Sequence, residues 1–195
     1  MTEEKTLVSK YIYKGKILNL RKDIVTVRDG KKSSREIIEH RGAVAILPVI
    51  ENTEKENPTI ILIKQYRKAF DDYFIEIPAG KLEKDEYPEK AAFRELKEET
   101  GYIAEKITPI FNIGLSVGYS NEILHLYRAS VLEKGETNFD DTEDIETLEM
   151  TLKDALILIK NQKIADSKTL IALQWEYLNI LNQTLAKKKE TYPFS

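Results

Sequence analysis

Cysteine is absent from this 195-residue chain, which excludes disulfides, thiolate zinc sites and cysteine nucleophiles together. Histidine is scarce: His40 and His125 are the two, and their distance in sequence argues against a zinc centre. No uninterrupted apolar stretch approaches the ~20 residues of a membrane helix. The first residues, Met-Thr-Glu-Glu-Lys, carry no apolar signal core. From these absences we expect a cytoplasmic protein with no membrane partner. An excess of positive charge is also missing. The net charge is −3, so no nucleic-acid partner is expected, since backbone binding depends on clustered Lys and Arg. The basic run Lys187-Lys-Lys189 reads as a solvated helix end.

The chain does hold the apolar and charged content of an ordinary soluble globular protein, 42% and 32%. Its length suits one substantial core better than two domains. Residues 6 to 40 alternate as strands do, and Arg28-Asp29-Gly30-Lys31 marks a hairpin between Ile24–Val27 and Ser34–Ile38. This segment is too small to bury a core alone, so it must pack on the remaining chain or on a second copy. We divide the sequence at this point: 1–40 as an N-terminal β segment serving dimerisation, 41–195 as the main domain.

In the main domain, Gly42–Ile50 and Thr59 to Gln65 read as buried strands separated by a polar loop. A short strand, Phe74–Ile77, leads into Pro78-Ala79-Gly80. Pro88 and Gly101 bound a helix, one suited to the first turn and the other to the C-cap. Strands are expected over Ile107–Ile113 and Glu122–Val131, and helices over Leu152–Asn161 and from Ser167 to about Lys187. Leu170, Leu173, Leu178 and Leu181 are among the apolar positions of the last helix, and Trp175 is read as core. The order gives an α+β sandwich.

The chemistry concentrates in residues 80 to 102. Glu95, Glu98 and Glu99 stand at i, i+3 and i+4 of the predicted helix, so three carboxylates share one face and repel one another unless something positive sits among them. Hard divalent cations take oxygen ligands, and Mg²⁺ is usually held by a few carboxylates plus substrate phosphate oxygens. Gly80, Glu86, Arg94, Glu95, Leu96, Glu98, Glu99, Gly101 and Tyr102 fill every position of the pattern G-x5-E-x7-R-E-U-x-E-E-x-G-U, where U is bulky and apolar. At average composition such a match arises by chance on the order of once in ten million chains of this length. The segment resembles the Nudix box.

That resemblance implies the Nudix fold, with a mixed β-sheet between helices, and hydrolysis of a nucleoside diphosphate linked to another moiety, with Mg²⁺, or Mn²⁺, as cofactor. It implies Glu95 and Glu99 as metal ligands, the Ala79 carbonyl as a further one, Glu98 as ligand or positioner of the attacking water, and Arg94 as the residue orienting the glutamates. Glu86 is read as a brace of the loop. Outside the box, Arg35-Glu36, Gln65-Tyr66-Arg67, Glu76–Lys81 and Ile171–Trp175 are similar to the ADP-ribose pyrophosphatase branch. Arg35, Glu36, Arg67, Glu76 and Glu122 are therefore candidates for substrate binding, Arg35 and Glu36 across a homodimer. The branch also implies an acidic loop supplying a base or ligand, here with Asp141 as base and Glu143 as metal ligand, two roles that could be exchanged. Val117 stands where the branch has proline. The substrate implied is ADP-ribose, with GDP-mannose or ADP-glucose as alternatives, and a nucleotide-sugar sensing module as a third reading. An isomerase on this fold would need the missing cysteine.

Overall fold

The structure is a computed structural model and describes residues 3–51, 57–135 and 144–191. Asp141 and Glu143 lie outside the described residues. The chain begins with three antiparallel strands, β1 (Lys5–Lys14), β2 (Asn19–Thr26) and β3 (Lys32–Glu39), in the order β1-β2-β3. The β2–β3 turn closes where the sequence indicated: Val27 N–H donates to Lys31 O at 2.8 Å. Asp29 and Gly30 take φ of 64° and 72°, a left-handed pair that aspartate and glycine tolerate best.

The large sheet contains β4 (Ala43–Ile50), β5 (Thr59–Arg67), β6 (Asp72–Glu76), β7 (Ala79–Lys81), β8 (Tyr102–Gly114), β9 (Ile123–Lys134) and β10 (Ile145–Thr151). Its main path is β10-β5-β4-β9-β8, with β6 on β5 and β7 on β4. Only β4–β9 is parallel among the described pairs, so the sheet is mixed. Three helices cover it: α1 (Pro88–Thr100), α2 (Leu152–Lys160) and α3 (Ser167–Thr191).

The apolar run of β4 is explained by burial on both faces. Ala45, Leu47 and Val49 pack with Leu62, Leu152, Ala155 and Leu173 on the side of α2 and α3. Val44 and Ile46 pack with Ala91, Ala92 and Leu96 of α1 on the other. This is the expected sandwich, with α1 at the bounds that Pro88 and Gly101 set. Gly101 caps it with φ of 74° and an N–H bond to Lys97 O.

One expectation, that Trp175 is core, needs correcting, and two of the apolar positions of α3 are exposed. Leu178 and Leu181 are 54% and 39% exposed, and Trp175 is only half-buried. The face that α3 turns inward carries Thr169, Ala172, Leu173, Glu176 and, further along, Ile180, and at ~3.6 residues per turn Leu178 falls opposite it, with Trp175 and Leu181 at its flanks. The helix also continues to Thr191, beyond the expected Lys187.

The N-terminal sheet is joined to the large domain through the loop after β8. Ile38 N–H donates to Tyr119 O at 2.7 Å, Asn121 N–H to Ile38 O at 3.2 Å, and His40 N–H to Asn121 Oδ1 at 2.8 Å. β1 is exposed along its whole length.

Candidate active site

Between the N-terminal sheet and the large sheet lies a cleft of about 720 Å³, within the range of small-molecule sites. One wall is the acidic face of α1, with Arg94, Glu95, Glu98 and Glu99. Around it stand Ala79 to Glu83, Gln65 and Arg67 at the end of β5, Glu122 before β9, and Lys168 at the start of α3. The β1–β2 turn contributes Lys16 and Ile17, and the connection to β4 contributes His40 and Arg41.

Local sequence explains why the glutamates meet the box loop so closely. α1 turns Ala91, Ala92 and Leu96 into the core, which places Glu95 and Glu99, one turn apart, along the boundary between core and cleft. Glu99 is 5% exposed, and its Oε2 accepts the Ala79 N–H at 2.8 Å. Gly80 is required by this approach: a Cβ built there would lie 1.8 Å from Glu95 Cδ. The side chain of Glu98 is more open, at 37%.

Part of the positive charge expected among these carboxylates is Arg94 itself. Its Nη1 donates to Glu95 Oε1 at 2.8 Å and Glu98 Oε2 at 3.0 Å, while Nε and Nη2 each donate to Glu86 at 2.9 Å. Hydrogen bonding to Glu86 leads in raising the guanidinium's pKa, with Glu95 and Glu98 adding to it against burial. Glu86 also accepts the Glu83 N–H. It therefore ties the loop to the helix through Arg94, and those Arg94 bonds hold its own carboxyl below the ordinary range.

A second charged group borders the cleft through Arg67 and Lys168. Arg67 Nε and Nη2 grip the two oxygens of Glu76 at 2.7 and 2.9 Å. Glu76 is 3% exposed and also takes a bond from Lys168 Nζ. Burial pushes its carboxyl up, but the Arg67 bonds and the Lys168 charge outweigh this and hold it below the usual value. Glu76 therefore faces Arg67 and Lys168 rather than open solvent, and Arg67 carries the exposed edge of the pair. Glu122 lies 3.4 Å from His40 Nδ1, an ion pair when that imidazole is doubly protonated.

Arg35 and Glu36 are not brought to this cleft. Arg35 lies on β3, where it binds Glu4 and, at 2.8 Å, Ser33 Oγ; Glu36 is exposed on the same strand. Conversely, Lys168, Lys16, His40 and Arg41 were not identified from sequence. The Asp166-Ser-Lys-Thr169 segment does signal a helix start, but nothing local shows that its lysine meets Glu76 from 92 positions away.

Among the described residues, no three Asp, Glu or His side chains converge as a ready-made metal cage. The donor set still fits a hard cation. Glu95 and Glu99 offer oxygen only, they border a backbone turn, and the adjoining cleft leaves room for the phosphate oxygens and water that such an ion retains as ligands.

Comparison with known proteins agrees with this geometry. Residues 39–173 match the NUDIX domain family. The chain belongs to the Nudix family. Residues 4–38 match the nucleoside diphosphate sugar hydrolase N-terminal domain, so this Nudix pyrophosphohydrolase falls in the nucleoside diphosphate sugar class. Nudix hydrolases generally depend on a divalent metal. The ADP-ribose pyrophosphatase of Bacillus subtilis (strain 168) is 43% identical over 189 residues, covering 95% of this chain and 98% of the relative. A methanol dehydrogenase activator of Bacillus methanolicus is 43% identical over 175 residues, with 89% and 92% covered. GDP-mannose pyrophosphatase of Escherichia coli (strain K12) is 31% identical over 188 residues, with 90% and 96% covered. Among the described residues no helix is long and apolar enough to cross a membrane.

Proposed function

We propose that this Nudix enzyme hydrolyses ADP-ribose to AMP and ribose 5-phosphate with Mg²⁺, as a cytoplasmic homodimer. The observation that carries the reading is the cleft itself. Its lining joins the acidic face of Glu95, Glu98 and Glu99 with the cations Arg67 and Lys168, a combination that suits a metal and a diphosphate together. A divalent ion bound at the acidic wall supplies charge neutralisation of the diphosphate and a more acidic water. The chain's own residues do the rest. Glu95 and Glu99, with the Ala79 carbonyl, hold the ion, and Arg94 keeps the carboxylates in place. Arg67 binds a phosphate oxygen with the nitrogen that Glu76 leaves unused. Glu98, the most open of the three glutamates, Asp141 and Glu143 are the candidates for taking the proton of the attacking water.

ADP-ribose is preferred over other sugars because of the 43% identity to the Bacillus subtilis enzyme across almost the whole chain. GDP-mannose stays as a second reading on the full-length likeness to the Escherichia coli enzyme. The equally similar methanol dehydrogenase activator shows that identity at this level does not select a role by itself. Incubating the purified protein with a panel of nucleoside diphosphate sugars and Mg²⁺, and weighing the products, tests the reading. Release of AMP and ribose 5-phosphate from ADP-ribose ahead of other cleavage supports it; faster cleavage of GDP-mannose replaces it.

The dimer is proposed from residues 1–40, with 41–195 as the catalytic unit. Leu7, Val8, Tyr11, Ile12, Tyr13 and Ile17 are 43 to 60% exposed, a concentration of exposed apolar side chains of a kind that marks an interaction site. Arg35 and Glu36, which do not reach the cleft of their own chain, are proposed to serve the cleft of the second subunit.

A further inference from the structure

Lys168 is placed where helix electrostatics argues against a cation. It is the second residue of α3, and the N-terminal end of a helix carries partial positive charge. Its side chain is only 12% exposed, a burial that lysine tolerates when paired. Nor does Glu76 lack partners without it, because Arg67 already bonds both carboxylate oxygens. The lysine is nonetheless held firmly. Asp166 stands 3.0 Å from its Nζ, and Asp166 Oδ2 accepts from Thr169 N and Oγ1 at 3.0 and 2.6 Å. Thr169 Oγ1 in turn accepts the Ile77 N–H at 2.9 Å. The first turn of α3 is thus fastened to the backbone that carries Glu76 into the Nudix loop.

The consequence concerns Arg67. Lys168 and Arg67 Nη2 share Glu76 Oε2, so Arg67 does not hold that oxygen alone, while Asp166 beside Lys168 and Glu99 near Arg67 add the remaining negative charge of the cluster. Arg67 Nη1 has no hydrogen-bond partner among the described residues, and the Arg67 side chain is 37% exposed in the cleft. We propose that Lys168 is a positioning residue: by competing for Glu76 Oε2 it weakens the carboxylate's hold on the Arg67 guanidinium, whose remaining N–H binds a substrate phosphate. This deepens the reading that the cleft binds a diphosphate, and rests on it.

Two probes separate the proposal from that reading: steady-state kinetics with ADP-ribose and Mg²⁺, and calorimetric binding of inorganic pyrophosphate with Mg²⁺, the group shared by every substrate of the class. Lys168→Met is expected to raise KM for ADP-ribose and Kd for pyrophosphate about tenfold, with a smaller fall in kcat, because the lost attraction acts in ground and transition states alike. Lys168→Arg should restore both to within about threefold. Adding Glu76→Gln to Lys168→Met should recover most of the loss, since the neutral amide no longer claims Arg67's charge; this non-additivity distinguishes positioning from direct contact or simple support of the fold. Should Lys168→Met fail to fold, Lys168→Gln carries the same expected rise. KM and Kd within twofold of wild type, or a defect that Glu76→Gln does not relieve, overturns the role of Lys168 while leaving the function intact. Absence of ADP-ribose turnover together with the predicted pyrophosphate pattern overturns the substrate and leaves Lys168 in its role. Absence of pyrophosphate binding by the wild type overturns the Lys168 role.

Discussion

Replacing Gly80 by alanine tests the site with little disturbance of the fold. The new Cβ would stand 1.8 Å from Glu95 Cδ and 1.9 Å from its Oε1, where carbon contacts normally begin near ~3.5 Å. The carboxylate must therefore withdraw by about 1.7 Å, the difference between those carbon distances. Glu95 can yield, because the obstructed group is the end of a flexible side chain. The displacement then falls on the metal-binding geometry and the Arg94 bond rather than on core packing. A misplacement of ~1 Å at a reacting centre costs about 10²-fold, so kcat should fall on the order of 10² or more, and the Mg²⁺ concentration for half activity should rise. Stability should hardly change. Gly80 is outside the positive-φ positions, and alanine at a compatible site commonly gains about 0.4–1 kcal/mol through the unfolded chain. The assay is kcat against Mg²⁺ concentration beside a thermal melt. A variant with kcat within threefold of wild type, or one that loses both activity and fold, refutes the reasoning.

Glu99→Gln should lower kcat on the order of 10² or more with an unchanged circular dichroism spectrum, because the amide can still accept the Ala79 N–H while the charge is lost; EDTA should abolish turnover until Mg²⁺ is restored. Glu86 is held below the ordinary carboxylate range, so its native partner stabilises the fold above the unfolded value of about 4.3, and that stability is lost as pH falls through the lower native value. The melting temperature should accordingly fall more steeply below about pH 4 in wild type than in Glu86→Gln, and parallel slopes would count against the Arg94 link. Light scattering at micromolar concentration should give a dimer mass, and Arg35→Ala should raise KM more than it lowers kcat; an active monomer contradicts both. Glu143→Gln should raise the Mg²⁺ requirement, and Asp141→Asn should lower kcat at saturating Mg²⁺; if neither changes, Glu98 becomes the base to test.

What could be read from sequence follows the reach of each interaction. The bounds of α1 were legible because Pro88 and Gly101 act on the backbone within one turn, and the β2–β3 hairpin because Asp29 and Gly30 accept the left-handed conformation its turn imposes. The buried faces of β4 were legible too, since an unbroken apolar run has no polar side to present. Arg67 and Glu76 were found as candidates separately, yet the register sets Asp72 opposite Arg67 and Ile63 opposite Glu76, so their pairing runs diagonally across β5 and β6 and is not specified by residue types alone. Lys168 lies further beyond reach: its meaning depends on α3 being fastened by Thr169 to Ile77, a contact between segments that neither periodicity nor motif connects. The same limit explains Leu178 and Leu181. Leucines are spread around α3, and which of its faces turns inward, that of Thr169, Ala172, Leu173, Glu176 and Ile180, is set by the elements it packs on. Glu95, Glu98 and Glu99, set by helix spacing, and Arg94 and Arg67, implied by the resemblance, could therefore be named in advance, whereas Lys168 required the folded chain.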